Sequence, residues 1–206
     1  SQPSPQEFLD IFEKVKEKQE TLICLSLSSK LSGTYQSACL AKDMVDYENI
    51  YIVDTLTAAA GIRLLCEVAM NWIGENRSVE SIVSGLEELK ERVHIYAGLD
   101  TLEYLAKGGR ISKTAAAIGT LASIKPIICT DHGEVAVEGK TRGVNKATSI
   151  VCEKMQADIV DTLYPVYTLY SYGLENVEKL ESKLDCDVER VRIGSTIGVH
   201  IGPNAF

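Results

Sequence analysis

Two short apolar runs, TLICLSL (21–27) and IYIVD (50–54), constrain this chain more than any other feature. Each has the length and side chains of a buried strand and is too short for a buried helix. Each also opens into a loop of small residues and then into a segment with helical spacing. SLSSKLSGTYQSA (26–38) leads into a predicted helix from about Tyr35 to Asp46, and TLTAAAG (55–61) into one reaching about Glu75. Ahead of them, Ser4, Pro5 and Glu7 form a capping box with proline at the first helical position, followed by Phe8, Phe12 and Val15 on one face. Ser78 caps a further helix whose core face is Ile82, Leu86 and Leu89. Strand and helix thus alternate from residue 1 to about 92, the pattern of a parallel sheet with helices on its faces.

The character changes after that point. VHIYAGL (93–99) reads as a strand, LEYLAKGGRIS (102–112) as a short helix broken by two glycines, and TAAAIGTLA (114–122) as a small-residue helix. IKPIICTDHGEVAVEGKTRG reads as a β-hairpin turning at Asp131-His132-Gly133. A helix over roughly 144–158, a strand in PVYTLYSYG, a helix in ENVEKLESKL and a strand and turn in VERVRIGSTIGVHI complete the chain. The expected fold class is α/β with two lobes. Residues 1–92 form the remainder of a parallel, Rossmann-like lobe, and residues 93–206 an α+β lobe with a largely antiparallel sheet.

Composition narrows the function. A hydrophobic fraction of 45% and a charged fraction of 24% over 206 residues are those of a globular chain. No run of about 18 apolar residues offers a membrane span, and the polar N-terminus lacks a signal-peptide profile. The net charge of −8 argues against general nucleic-acid binding. The six cysteines are scattered singly with no C-x-x-C pair, and they read as small hydrophobes of a reducing cytoplasm. H-E-x-x-H, G-x-S-x-G and the phosphate-cradling glycine motifs are absent, so no metal, catalytic triad or nucleotide site is expected.

Three stretches remain as candidate sites, each with a plain alternative. Ser32-Gly33-Thr34 follows a strand and opens a helix, where free N–H groups and the helix dipole attract an anion; a simple helix cap accounts for the same residues. Arg110, after Gly108-Gly109, suits bidentate recognition of a carboxylate or phosphate, or a solvated surface position. His200, before a Gly-Pro turn, suits a pH-sensitive donor or a structural histidine. His94 and His132 read as structural, and Asp54 and Asp100 as strand-terminal loop caps.

In order along the chain, SQPSPQEF (1–8), SSKLSGTYQSA (28–38), IYIVDTLTAAAG (50–61), DTLEYLAKGGRIS (100–112), IGTLASIKPII (118–128), DHGEV (131–135), TRG (141–143) and VHIGPN (199–204) resemble the DegV family of bacterial fatty-acid-binding proteins. The resemblance covers essentially the whole chain. It implies a long-chain fatty acid held between two lobes, its carboxylate bound by Ser1, Ser29, Ser32, Gly33, Thr34, Arg110 and His200. It further implies a cytoplasmic carrier with no cofactor, which is not itself an enzyme. Such a carrier presents the acid to a fatty acid kinase for acyl-phosphate formation and phospholipid synthesis, with only transient membrane contact. Family members carry a first strand and loop ahead of this start and continue past the last motif, so a trimmed chain is expected. Asn204 stands where the family's H-x-G-P-G has glycine. The residues themselves leave one alternative: an enzyme or sensor for a small carboxylated or phosphorylated metabolite.

Overall fold

The computed structural model describes residues 2–112, 123–158 and 161–206. The predicted helix at 114–122 lies outside them. The chain divides into two compact units, Ser1–Val93 with His132–Glu134, and His94–Asp131 with Val135–Phe206.

The first unit is built on a parallel pair. Strands β1 (Leu22–Ser26) and β2 (Ile50–Asp54) run in register from Leu22 opposite Ile50 to Ser26 opposite Asp54. Parallel neighbours need a crossover, supplied here by α2 (Thr34–Val45). Helix α1 (Pro5–Glu17) begins at the expected capping box: the Ser4 N–H donates to Glu7 Oε2 at 2.7 Å, and the Glu7 N–H to Ser4 Oγ at 3.3 Å. Its Leu9 and Phe12 bury against Ala38, Ala41 and Val45 of α2 and Ile50 of β2. Helices α3 (Ala60–Gly74) and α4 (Val79–Leu89) follow, α4 capped by Ser78 as expected. β1 departs from expectation in one respect. Leu22 to Leu25 are half-buried, because β2 is the only strand beside β1 among the described residues.

The second unit holds a three-stranded sheet in the order β3 (Tyr96–Gly98), β4 (Ile124–Asp131), β5 (Glu134–Arg142). β3 and β4 are antiparallel, with Tyr96 opposite Cys129. β4 and β5 are joined through His132 (φ +44°) and Gly133 (φ +86°), the paired positive angles of a tight hairpin. After α5 (Glu103–Lys107) and α6 (Val144–Ala157) come β6 (Val166–Tyr170), α7 (Glu175–Glu181), β7 (Val188–Arg192) and α8 (Ser195–Ile201). β6 and β7 pair in parallel, a local exception to a largely antiparallel unit. The α7 crossover between them dictates this direction. The turn expected over STIGVHI is the helix α8.

The chain's last residues are part of this core. Gly98 and Phe206 exchange both backbone hydrogen bonds, at 2.9 and 3.1 Å, and the Ser171 N–H donates to the Ala205 carbonyl at 3.2 Å. Phe206 packs with Ile127, Val151, Val177 and Leu180. Burying such a ring is worth roughly 1.5–3 kcal/mol. All six cysteines are free; Cys129 and Cys152 are buried as expected, whereas Cys66 and Cys186 are exposed. Burial pushes the Cys24 thiol up to about 11. Burial and the Glu138 carboxylate push Cys129 up to about 12, so neither forms a thiolate at neutral pH.

A Cβ on Gly98 would stand 2.2 Å from the Phe206 ring, whereas one on Gly139 of β5 meets nothing within 4 Å. Gly98→Ala is expected to destabilise by about 1–3 kcal/mol, while Gly139→Ala leaves stability equal or slightly higher. Urea midpoints compare the two, and equal midpoints would remove Phe206 from its place over Gly98.

Candidate functional site

In the first unit, the carboxyl ends of β1 and β2 lie side by side and their loops are tied together there. Thr55 Oγ1 donates to the Ser26 carbonyl at 2.7 Å. Asp54 Oδ1 accepts the Ser29 N–H at 3.0 Å and the Leu56 N–H at 3.3 Å. Asp54 is thus a loop cap, as its position at a strand end suggests. Ser29 sits at this junction through its backbone.

Ser28 is the centre of the serine-rich loop, a role its sequence position did not reveal. It is fully buried. Its N–H donates to the Thr57 carbonyl at 3.0 Å, and its carbonyl accepts the N–H groups of Leu31 (3.0 Å) and Ser32 (3.1 Å). Its hydroxyl donates to the Gly133 carbonyl at 2.7 Å.

Ser32 and Thr34 are brought together. Their hydroxyls hydrogen-bond at 2.9 Å, and Ser32 Oγ accepts the Thr34 N–H at 3.3 Å. Ser32 therefore caps the start of α2, while its partner hydroxyl stands at the same helix end. Gly33 leaves a place open above the backbone. A Cβ there would lie 2.3 Å from Gln2 Oε1, so the Gln2 carboxamide covers this spot. Gln2 is exposed, so its carboxamide can turn into solvent and leave this spot to a ligand. Ser1 lies outside the described residues.

In the second unit, Arg110 and His200 flank Gly108. A Cβ on Gly108 would stand 2.2 Å from His200 Nδ1, so the first glycine of K-G-G-R makes room for the imidazole. The second, Gly109, has φ +74°, a conformation that glycine adopts without steric cost. An Arg110 Nη1 N–H donates to the Gly108 carbonyl. His200 Nδ1 is buried and makes no hydrogen bond. Burial first, and the Arg110 charge second, hold the His200 imidazolium below its ordinary 6.5. A guanidinium beside an imidazole whose Nδ1 is unbonded can receive an anion.

The segment that follows the His200 helix is braced by a carboxylate. Asn204 has φ +58°, the left-handed geometry that its glycine counterpart would supply. Its Nδ2 donates to Asp100 Oδ2 at 2.8 Å, while Lys125 Nζ pairs with Asp100 Oδ1 at 2.6 Å. Burial pushes the Asp100 carboxyl up, but the Asn204 and Lys125 bonds outweigh it and hold the group below the usual carboxylate range. Sequence reasoning left Asp100 as a loop cap; only the fold shows its link to the segment after the His200 helix. No group of three metal-ligating side chains occurs among the described residues, and none of their helices is long and apolar enough to cross a membrane.

A two-unit α/β protein with a hydroxyl-lined helix start in one unit and an arginine–histidine pair in the other has well-defined relatives. The chain belongs to the DegV family, whose model matches residues 1–206. A DegV domain-containing protein of Clostridium acetobutylicum is 34% identical over 213 residues, spanning 100% of this chain and 75% of that protein. Among solved structures, a fatty-acid-binding DegV family protein from Thermus thermophilus is 31% identical, with a TM-score of 0.87 over 100% of this chain and 75% of the other. A stearic acid-binding protein from Eubacterium ventriosum is 28% identical, with a TM-score of 0.89 over 100% and 75%.

The histidine gives a direct check on the electrostatics. Its folded value is depressed, so below pH 6.5 the unfolded chain binds the proton more readily than the folded one. The stability contributed by neutral His200 is complete above 6.5 and is lost as pH falls through the folded value. NMR titration of ligand-free protein is expected to place His200 below 6.5, and Arg110→Ala to move it upward. An unmoved midpoint would separate the two side chains.

Proposed function

We propose that this protein binds a long-chain fatty acid and takes its carboxylate with the hydroxyls of Ser32 and Thr34, the Arg110 guanidinium and the His200 imidazole. Ser1, Ser29 and the Gly33 backbone complete the set. The observation that carries this reading is the buried, unpartnered Nδ1 of His200 beside Arg110. A buried polar atom costs stability unless something bonds it, and a carboxylate supplies an oxygen to the imidazole while the Arg110 guanidinium balances its charge. Fatty-acid binding by the Thermus thermophilus and Eubacterium ventriosum relatives, matched over 100% of this chain, supports the same ligand class.

The role follows from what the site holds. Hydroxyls, a guanidinium and an imidazole can bind a carboxylate and neutralise it, while the acyl chain gains about 0.8 kcal/mol for each buried CH₂. The protein is a cytoplasmic carrier without a cofactor. It presents the acid to a separate fatty acid kinase, which forms the acyl-phosphate used in phospholipid synthesis, and it meets membranes only transiently.

Protein purified from a bacterial host is expected to carry extractable long-chain fatty acid, identified by mass spectrometry. Lipid-free protein that takes up none when offered would end this reading. Arg110→Ala removes a charged hydrogen bond worth about 1.5–3 kcal/mol, so stearate affinity is expected to fall roughly 10- to 100-fold. Unchanged affinity would take Arg110 out of the site. Bound carboxylate also favours the imidazolium, so saturation with stearate is expected to raise the His200 midpoint.

A further inference from the structure

Besides His200 Nδ1, the described residues include two buried side-chain oxygens without a hydrogen-bond partner, Thr130 Oγ1 and Thr57 Oγ1. Thr57 lies outside every residue assigned to the carboxylate. Its side chain is 0% exposed, so bulk solvent does not satisfy the hydroxyl.

The neighbours of Thr57 show where its hydroxyl points. A Cβ on Gly61, the second residue of α3, would stand 2.2 Å from Thr57 Oγ1, so the hydroxyl lies over the first turn of that helix. Helix α3 is 15 residues long, and Ala59 at its N-cap provides no side-chain hydrogen bond. The Gly61 N–H already donates to the Ala58 carbonyl at 2.9 Å, so what this helix start adds is the positive end of the dipole. The unpartnered hydroxyl needs an oxygen acceptor, and the positive helix end favours a negatively charged one. The position is also tied to the serine-rich loop: the Thr57 carbonyl accepts the Ser28 N–H, and the Ser28 carbonyl accepts the Ser32 N–H. Two backbone hydrogen bonds thus link Thr57 to Ser32.

The α2 start is partly satisfied by its own residues, with Ser32 bonding both the hydroxyl and the N–H of Thr34. The α3 start has a buried hydroxyl aimed at it and no side-chain cap. Valine would fill the same shape without leaving a buried hydroxyl unbonded, so threonine here costs the free protein stability.

We propose that the Thr57 hydroxyl and the uncapped start of α3 form an additional oxygen-binding seat, which takes a carboxylate oxygen of the bound fatty acid. This rests on the fatty-acid reading above. Thr57 donates its O–H to that oxygen and is a binding residue, not a catalytic one.

The test compares wild type, Thr57→Val and Thr57→Ser, each stripped of lipid, by stearate titration and by thermal denaturation without ligand. Thr57→Val is expected to lower stearate affinity about tenfold while melting at or above the wild-type temperature. Thr57→Ser is expected to keep the affinity. Unchanged affinity in Thr57→Val overturns the proposal, and so does a lower melting temperature of its ligand-free form, which would mark the hydroxyl as satisfied within the fold. Wild-type protein that binds no stearate defeats the fatty-acid reading itself and is thereby told apart from failure of the Thr57 seat alone.

Discussion

The parallel register of β1 and β2 is the constraint from which the first unit's chemistry follows. It sets Ser26 opposite Asp54, so the loops leaving the two strands emerge at one end and must satisfy each other's backbone groups. Thr55, Asp54 and Ser28 do this with hydrogen bonds of 2.7 to 3.3 Å. Side-by-side loops at the carboxyl ends of parallel strands are where open α/β sheets place ligands, because helix starts and free N–H groups collect there. In this chain the two helix starts, of α2 and α3, are unequal. One is closed by Ser32; the other faces a hydroxyl with no partner.

The second unit solves a different problem, holding two nitrogen groups of potential like charge close together. Burial first, and the neighbouring Arg110 charge second, keep the His200 imidazole below its ordinary value. Gly108 makes the closeness sterically possible, since any side chain there would strike the imidazole. The backing comes from the Asp100 carboxylate, which bonds Lys125 and Asn204 and so anchors the segment four residues beyond the histidine. An anion brought to Arg110 would reverse the local balance and let the imidazole take a proton.

Much of this was legible in the sequence, and the remainder was hidden for specific physical reasons. The capping box at Ser4 and Glu7, the Ser78 cap and the tight turn at His132-Gly133 are local, and local chemistry suffices to read them. The α8 helix was read as a turn because STIGVHI is too short for periodicity to speak, and its length is only seven residues. The parallel β6–β7 pair was read within an antiparallel sheet, although the helix separating the two strands could have signalled a crossover. Ser32, Gly33, Thr34, Arg110 and His200 were marked by composition and family order. Ser28, Thr57 and Asp100 were not, because their roles depend on partners 25 to 105 residues away along the chain or on burial that spacing does not encode.

Orphaned polar atoms connect stability to function in both units. Leaving a buried donor or acceptor unpaired costs about 1–3 kcal/mol, a sizeable share of the 5–15 kcal/mol that typically holds a domain together. A fold that carries His200 Nδ1 and Thr57 Oγ1 in this state is less stable without a ligand than valine or another apolar side chain could make it. A ligand that supplies acceptors to those atoms recovers the loss in addition to its own apolar burial, and binding to the folded state raises stability with concentration. The same atoms therefore weaken the empty protein and favour the loaded one. If the proposed ligand supplies those acceptors, the occupied form is the one the fold prefers.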